Sequence, residues 1–182
     1  MKWTRSALRA FIKEHKNKSH PFLWFIAQLA PFGGTVISPQ NNPYLLRIYL
    51  TPSLRKWGIP RPYLHYFFRG DEDRELHNHP WGSSWSYILT GGYTEHRWDP
   101  DRKVIRTFQL RPGDVNQIKR DDYHKVILTN PRQGCWTLFV TKDRVQDSDG
   151  TDWGFLNTET GEYTPWGEFR DNSVQRFKDA VR

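Results

Sequence analysis

"ELHNHPWGSSWSYILTGG", residues 75–92, is the stretch on which the reading of this chain turns. His77 and His79 are separated by one residue. In a β-strand, residues i and i+2 point to the same face, so two imidazoles would stand side by side. Neutral imidazole suits Fe, Zn, Cu or Ni. Two ligands do not complete a site, and such a pair can equally sit metal-free, hydrogen-bonded within a pocket. After the pair comes a strand-like run, "SWSYILT", closed by Gly91 and Gly92, the residues a tight turn calls for.

The same texture extends outward. From about residue 41, short runs rich in β-branched and aromatic residues ("YLLRIYL", "YLHYFFR", "YTEHRW", "VIRTFQL", "KVILT", "CWTLFV") alternate with turn formers such as "RPGD" and "TNPRQG". Many short strands at this spacing predict an all-β sandwich or barrel. In "FQLRPGDVNQIKRDDYHKVIL", "RPGD" reads as a turn between two strands and His124 opens the next. A folded-back barrel would bring His124 to the pair from the opposite wall. Three imidazoles on a concave surface would hold Fe(II) or a similar divalent ion and leave positions open for substrate or oxygen.

On these residues the chain resembles the cupin superfamily. "HNHPWGSSWSYILTG" is similar to the first cupin motif, and "LRPGD" followed by His124 is similar to the second; the match covers roughly residues 60–142. The resemblance implies a double-stranded β-helix, that is, a jelly-roll barrel, with His77, His79 and His124 as metal ligands. It departs from the family at Ser84, where cupins usually carry a glutamate ligand, and in a longer gap between "PGD" and His124. Three-His cupins without that glutamate include the thiol dioxygenases, which bind non-haem iron. Fe(II) is therefore the favoured ion, with Zn, Mn and Ni as alternatives. Glu95 or His96 offers a replacement ligand, although each is more simply a solvent-facing strand residue.

Composition bounds the rest. At 182 residues the chain suits one domain with a sizeable core, and nine Trp predict that the core is rich in rings. The single cysteine, Cys135, excludes an intrachain disulfide and a cysteine-built zinc site, and fits a reduced, cytoplasmic compartment. Of the net charge of +7, residues 1–20 supply most, with six Lys/Arg against one Glu; the body is nearly balanced, which argues against a nucleic-acid-binding fold. "WTRSALRAFIKEHK" has Trp3, Ala7, Leu8, Phe11 and Ile12 at helical spacing among basic residues. It reads as a basic amphipathic helix that docks on the domain or touches an anionic surface, and that the barrel should survive losing. "PFLWFIAQLAPF" is too short to span a bilayer and reads as a buried helix or core plug. The expected organisation is a basic helical arm and apolar segment over residues 1–40, a cupin barrel over 41–168, and a last helix over 169–182.

Around the histidines, Arg69 is a candidate for holding a substrate carboxylate or phosphate. Ser84 and Tyr66 join it as substrate-binding candidates, a ring at the barrel mouth being able to stack on a flat substrate. His65 reads as a satisfied core or rim histidine. Asp121 or Asp122 could orient His124, the favoured alternative being a solvated loop. The function expected is a metal-dependent enzyme acting on a small molecule, foremost an iron oxygenase or dioxygenase. The alternatives are a sugar or nucleotide isomerase or epimerase using histidine as acid or base, and a non-catalytic ligand-binding cupin. Expected partners are the small molecule and, at most, a second copy of the chain in a homodimer.

Overall fold

The computed structural model describes residues 2–16, 19–37, 42–52, 59–71, 75–144 and 153–168. The expected last helix, 169–182, lies outside them. In chain order the elements are β1 (Lys2–Trp3), α1 (Arg5–His15), α2 (Pro21–Leu29), β2 (Gly34–Ile37), β3 (Leu45–Tyr49), β4 (Arg61–Phe67), β5 (Leu76–His77), β6 (Trp81–Thr90), β7 (Tyr93–Asp99), β8 (Val104–Leu110), β9 (Val115–Lys119), β10 (His124–Leu128), β11 (Cys135–Arg144), β12 (Gly154–Leu156) and β13 (Tyr163–Pro165). Two antiparallel sheets face each other. One runs β1-β2-β3-β4-β11-β6-β9, the other β13-β12-β5-β10-β7-β8. This is the jelly-roll barrel that the sequence motifs imply.

Strand alternation sorts the side chains. On β10, His124, Val126 and Leu128 are buried; on β9, Asn116 and Ile118 are. The double glycine turns the chain from the first sheet into the second: Gly91 has φ 78° and Gly92 φ 127°, in the region where a Cβ is strained. "RPGD" makes the return crossing between β8 and β9, its Asp114 carboxylate accepting from the Arg111 amide at 2.7 Å. One end of the barrel is plugged by Ile88, Tyr93, Val126, Leu128 and Cys135, with Phe67 and Leu110 against them.

The outer face of the seven-stranded sheet carries the second core. Leu46, Ile48, Leu64, Tyr66 and Trp136 project outward and are covered by Leu8, Phe11 and Ile12 of α1 and by Trp24 and Ala27 of α2. Trp24 meets Trp136 edge-on at 4.8 Å between centroids. Thr4 caps α1, its hydroxyl accepting from the Ala7 amide; Trp3 lies before the helix, in β1. The basic helix is thus part of the core and not a removable arm: Leu8 and Ile12 are 1% and 0% exposed. α2 is only half the core plug expected. A sheet can cover one side of a helix, so Trp24 and Ala27 are buried while Phe22, Phe25 and Leu29 stay exposed. The sheet also starts before residue 41, since Gly34–Ile37 pairs with β3. No helix among the described residues is long and apolar enough to cross a membrane.

Candidate metal centre

His77 ends β5 and pairs directly with His124, the first residue of β10. The two therefore come from neighbouring strands of one sheet, and not from opposite walls as the sequence spacing led us to expect. His79 lies just past the end of β5. The residue between, Asn78, is clipped to β12: its amide donates to Gly154 O at 3.2 Å and its Oδ1 accepts from Gly154 N at 2.9 Å. With Asn78 turned to β12, the two histidines keep a shared side although the strand has ended.

The three rings form a near-equilateral triangle. Centroids are 5.1 Å apart for His77–His79, 4.9 Å for His77–His124 and 5.0 Å for His79–His124. One nitrogen from each lies within 4.8 Å of the others. His79 Nε2 and His124 Nε2 are 2.9 Å apart. Two nitrogens each about 2.1 Å from one ion and meeting at a right angle would be about 3 Å apart, so this pair fits a shared ion. Burial first, then the neighbouring His124, His77, Arg47 and His65, hold the His79 pKa well below the ordinary histidine value. Its ring is neutral at pH 7, the form in which imidazole binds a metal.

His124 is held from behind by a carboxylate that the sequence reading had assigned to solvent. Glu95 on β7 is 0% exposed, and its Oε1 lies 2.6 Å from His124 Nδ1. Asn116 Nδ2 donates to the same oxygen at 3.0 Å, and Arg97 Nη2 donates to Oε2 at 2.9 Å. Burial alone would raise the Glu95 pKa, but the close contact with His124, then Arg97 and Asn116, outweigh it and bring it down to about 2. With both oxygens engaged, Glu95 is an orienting partner and not a ligand; its contact at Nδ1 leaves Nε2 of His124 turned to the other imidazoles. Asp122 stands one step further back, accepting from the Lys119 amide at 2.8 Å and from Arg97 at 3.2 Å.

The other candidates separate. Ser84 is 1% exposed and shares the inward face of β6 with Ser86, its hydroxyl donating to Ile118 O at 3.2 Å. Tyr66 is not at the centre. It neighbours His65 in β4 and so takes the opposite face, packs on Trp24 at 4.7 Å and donates to Gln133 O at 2.9 Å. Arg69, half-buried, follows the far end of β4, beyond Phe67 of the barrel plug. His65 is inside but engaged: its Nε2 accepts from Arg47 Nε at 3.0 Å and its ring stacks on Phe139 at 4.9 Å. Burial and then Arg47 keep it neutral. The wall beside the imidazoles is aromatic, with Trp81 5.4 Å and Phe139 6.1 Å from His79, and Trp153 6.3 Å and Phe155 6.0 Å from His77. Two residues the sequence reading passed over, Arg47 and Arg61, also stand over Tyr63 beside this interior; for Arg47 the signal was a charge at an alternating position of a strand otherwise apolar, "LLRIY".

No protein-family model and no curated protein matches the chain. Solved structures do. The crystal structure of FeII HppE aligns with a TM-score of 0.48 and 14% identity over 61% of this chain and 57% of that one. Bacillus subtilis oxalate decarboxylase, in a study of its Mn(II) centres, aligns at 0.46 and 21% identity over 61% of this chain and 29% of that one. Hydroxypropylphosphonic acid epoxidase from S. wedmorenis, in complex with fosfomycin, aligns at 0.43 and 14% over 59% and 58%. The chain therefore spans a little over half of the first and third and under a third of the second.

Proposed function

We propose that the protein is a metal-dependent cupin enzyme acting on a small molecule, in the first instance a non-haem iron oxygenase, with His77, His79 and His124 as the ligands. The observation that carries this reading is the convergence of three imidazoles with Glu95 fixing the ring of one of them. A divalent ion there would supply Lewis acidity and open positions for substrate and oxygen. The chain's own residues do the rest. Glu95 holds Nδ1 of His124 so that Nε2 faces inward. Burial keeps His79 neutral. Trp81, Phe139, Trp153 and Phe155 pack beside the imidazoles and make that wall apolar.

Metal analysis of protein purified without added metal tests it. About one divalent ion per chain is expected, with iron supporting the oxygenase assignment. A His77→Ala, His79→Ala double variant should lose most of it, because one remaining imidazole is an incomplete set of ligands. Full occupancy in that variant would overturn the ligand assignment. The 2.9 Å contact between His79 and His124 supports a second reading, since a metal-free pair sharing a proton would make it too. That reading, an isomerase or epimerase of sugar or nucleotide substrates, requires activity that survives a chelator. A non-catalytic cupin would instead co-purify with a ligand and show no turnover.

A further inference from the structure

Arg47 on β3 and Arg61 on β4 both lean over the ring of Tyr63, with Cζ 5.3 Å and 5.4 Å from its centroid. Arg61 also covers Tyr49 at 4.4 Å, and Arg47 faces Trp81 at 5.8 Å. Trp81 in turn packs on His79, so one indole separates the Arg47 guanidinium from the imidazole cluster. Both arginines are partly buried, and neither is paired with a carboxylate among the described residues. Arg61 Nε is buried without a hydrogen-bond partner among them. Arg47 donates from Nε to neutral His65, which contributes no negative charge. Arg97 provides the contrast: that guanidinium, in the facing sheet, has both Glu95 and Asp122.

Two uncompensated cations in a partly dry interior are costly for the fold alone. A buried charge is retained when something pairs with it. Burial pulls the Arg47 pKa down, the phenol groups of Tyr63, Tyr49 and Tyr44 oppose it, and Arg61 pulls it down further. An anion bound between the two would relieve that repulsion. Guanidinium forks match carboxylate and phosphate oxygens in pairs. Resting on the metal-centre reading above, we infer that Arg47 and Arg61 are the subsite for the charged end of the substrate, and that the substrate is a small organic oxyanion carrying a carboxylate or phosphate-type group. Its reactive portion would reach past Trp81 toward the imidazoles.

The test is calorimetric titration of the full chain with inorganic phosphate and with acetate at constant ionic strength, metal-free and after loading with a divalent ion. Wild-type protein is expected to bind at least one of the two anions. Arg47→Met and Arg61→Met should each weaken that binding at least tenfold while retaining the metal stoichiometry. Their melting temperatures without anion should be equal to wild type or higher, because an unpaired charge has been replaced by an apolar chain of similar length. Wild-type protein that binds neither anion better than the Arg47→Met, Arg61→Met double variant would overturn the subsite. So would variants that keep full anion affinity. If Arg47→Met does not fold, Arg61→Met decides by the same criteria, having no hydrogen bond from Nε to lose. Loss of metal binding in wild type would refute the metal centre while leaving the metal-free anion titration to judge the arginines.

Discussion

Replacing Glu95 by Gln keeps the shape of the side chain and removes its charge, which isolates what the carboxylate does for His124. In the native protein the two oxygens take Arg97, Asn116 and His124 at 2.6–3.0 Å. A Gln retains one acceptor and turns its NH₂ toward a guanidinium or toward Nδ1. Removing one partner of a buried ion pair costs roughly 3–5 kcal/mol. Arg97 still has Asp122, Asn116 and the Gln117 carbonyl, so the low end applies. About 3 kcal/mol in a chain of this size lowers the melting temperature by roughly 6–12 °C. The second effect is on the metal. Loss of a carboxylate behind a histidine ligand typically weakens metal affinity 10–100-fold, or about 1.4–2.7 kcal/mol. The assay is thermal unfolding of the metal-free variant together with competition against a chelator of known affinity. Asp122→Asn is the control, because it touches Arg97 and the Lys119 amide but not His124; it should lower stability and leave metal affinity within a few-fold. Equal metal affinity in Glu95→Gln and wild type would refute the positioning role, and equal melting temperatures would refute the buried ion pair itself.

Deleting residues 1–18 removes Leu8, Phe11 and Ile12 from the outer core. At about 1.5–3 kcal/mol each that is roughly 5–9 kcal/mol, comparable to the whole stability of a typical domain, so the truncated chain should be insoluble or unfolded by circular dichroism. Ser84→Ala loses one buried hydrogen bond and should cost about 1 kcal/mol in denaturant unfolding with metal stoichiometry unchanged; loss of the ion would show that the hydroxyl takes part in binding. Burial raises the Cys135 thiol to about 12, so it stays protonated across neutral pH and should react with a thiol reagent only on unfolding. Fast labelling of native protein at pH 8 would contradict its place in the barrel plug.

What could be read in advance came from alternation and turn chemistry. "SWSYILTGG" and "HKVIL" read as strands, the first closed by a double glycine, and "LRPGD" reads as a turn; they became β6, β10 and the return turn. The three histidines converge as their spacing implied, although through neighbouring strands. Glu95 was out of reach for a physical reason. In "YTEHRWD" both faces of β7 carry polar groups, so nothing local tells Glu95 from His96; pairing with β10, which sets Glu95 opposite Val126, decides it. Tyr66 was misplaced for the converse reason. Placing His65 on the barrel face commits Tyr66 to the other, but an aromatic run such as "YLHYFF" fits a sheet with cores on both sides. That second core, and so the structural weight of the basic helix, depends on residues far along the chain from those they cover, which no local pattern records.

The division of groups between the two sheets has a consequence for how such a protein changes. All three imidazoles and the carboxylate behind them belong to the β5–β10–β7 side, whereas Arg47 and Arg61 belong to β3 and β4 across the barrel. If Arg47 and Arg61 meet the substrate as inferred above, substitutions on β3 and β4 would re-aim or neutralise that wall while leaving the β5–β10–β7 side that carries the histidines unchanged. Because β3 and β4 also carry the helices on their outer side, the wall open to variation is the one with a second core to absorb the strain. New preferences for small molecules would be sought there first, by varying positions 47, 49, 61 and 63 together over an untouched set of histidines.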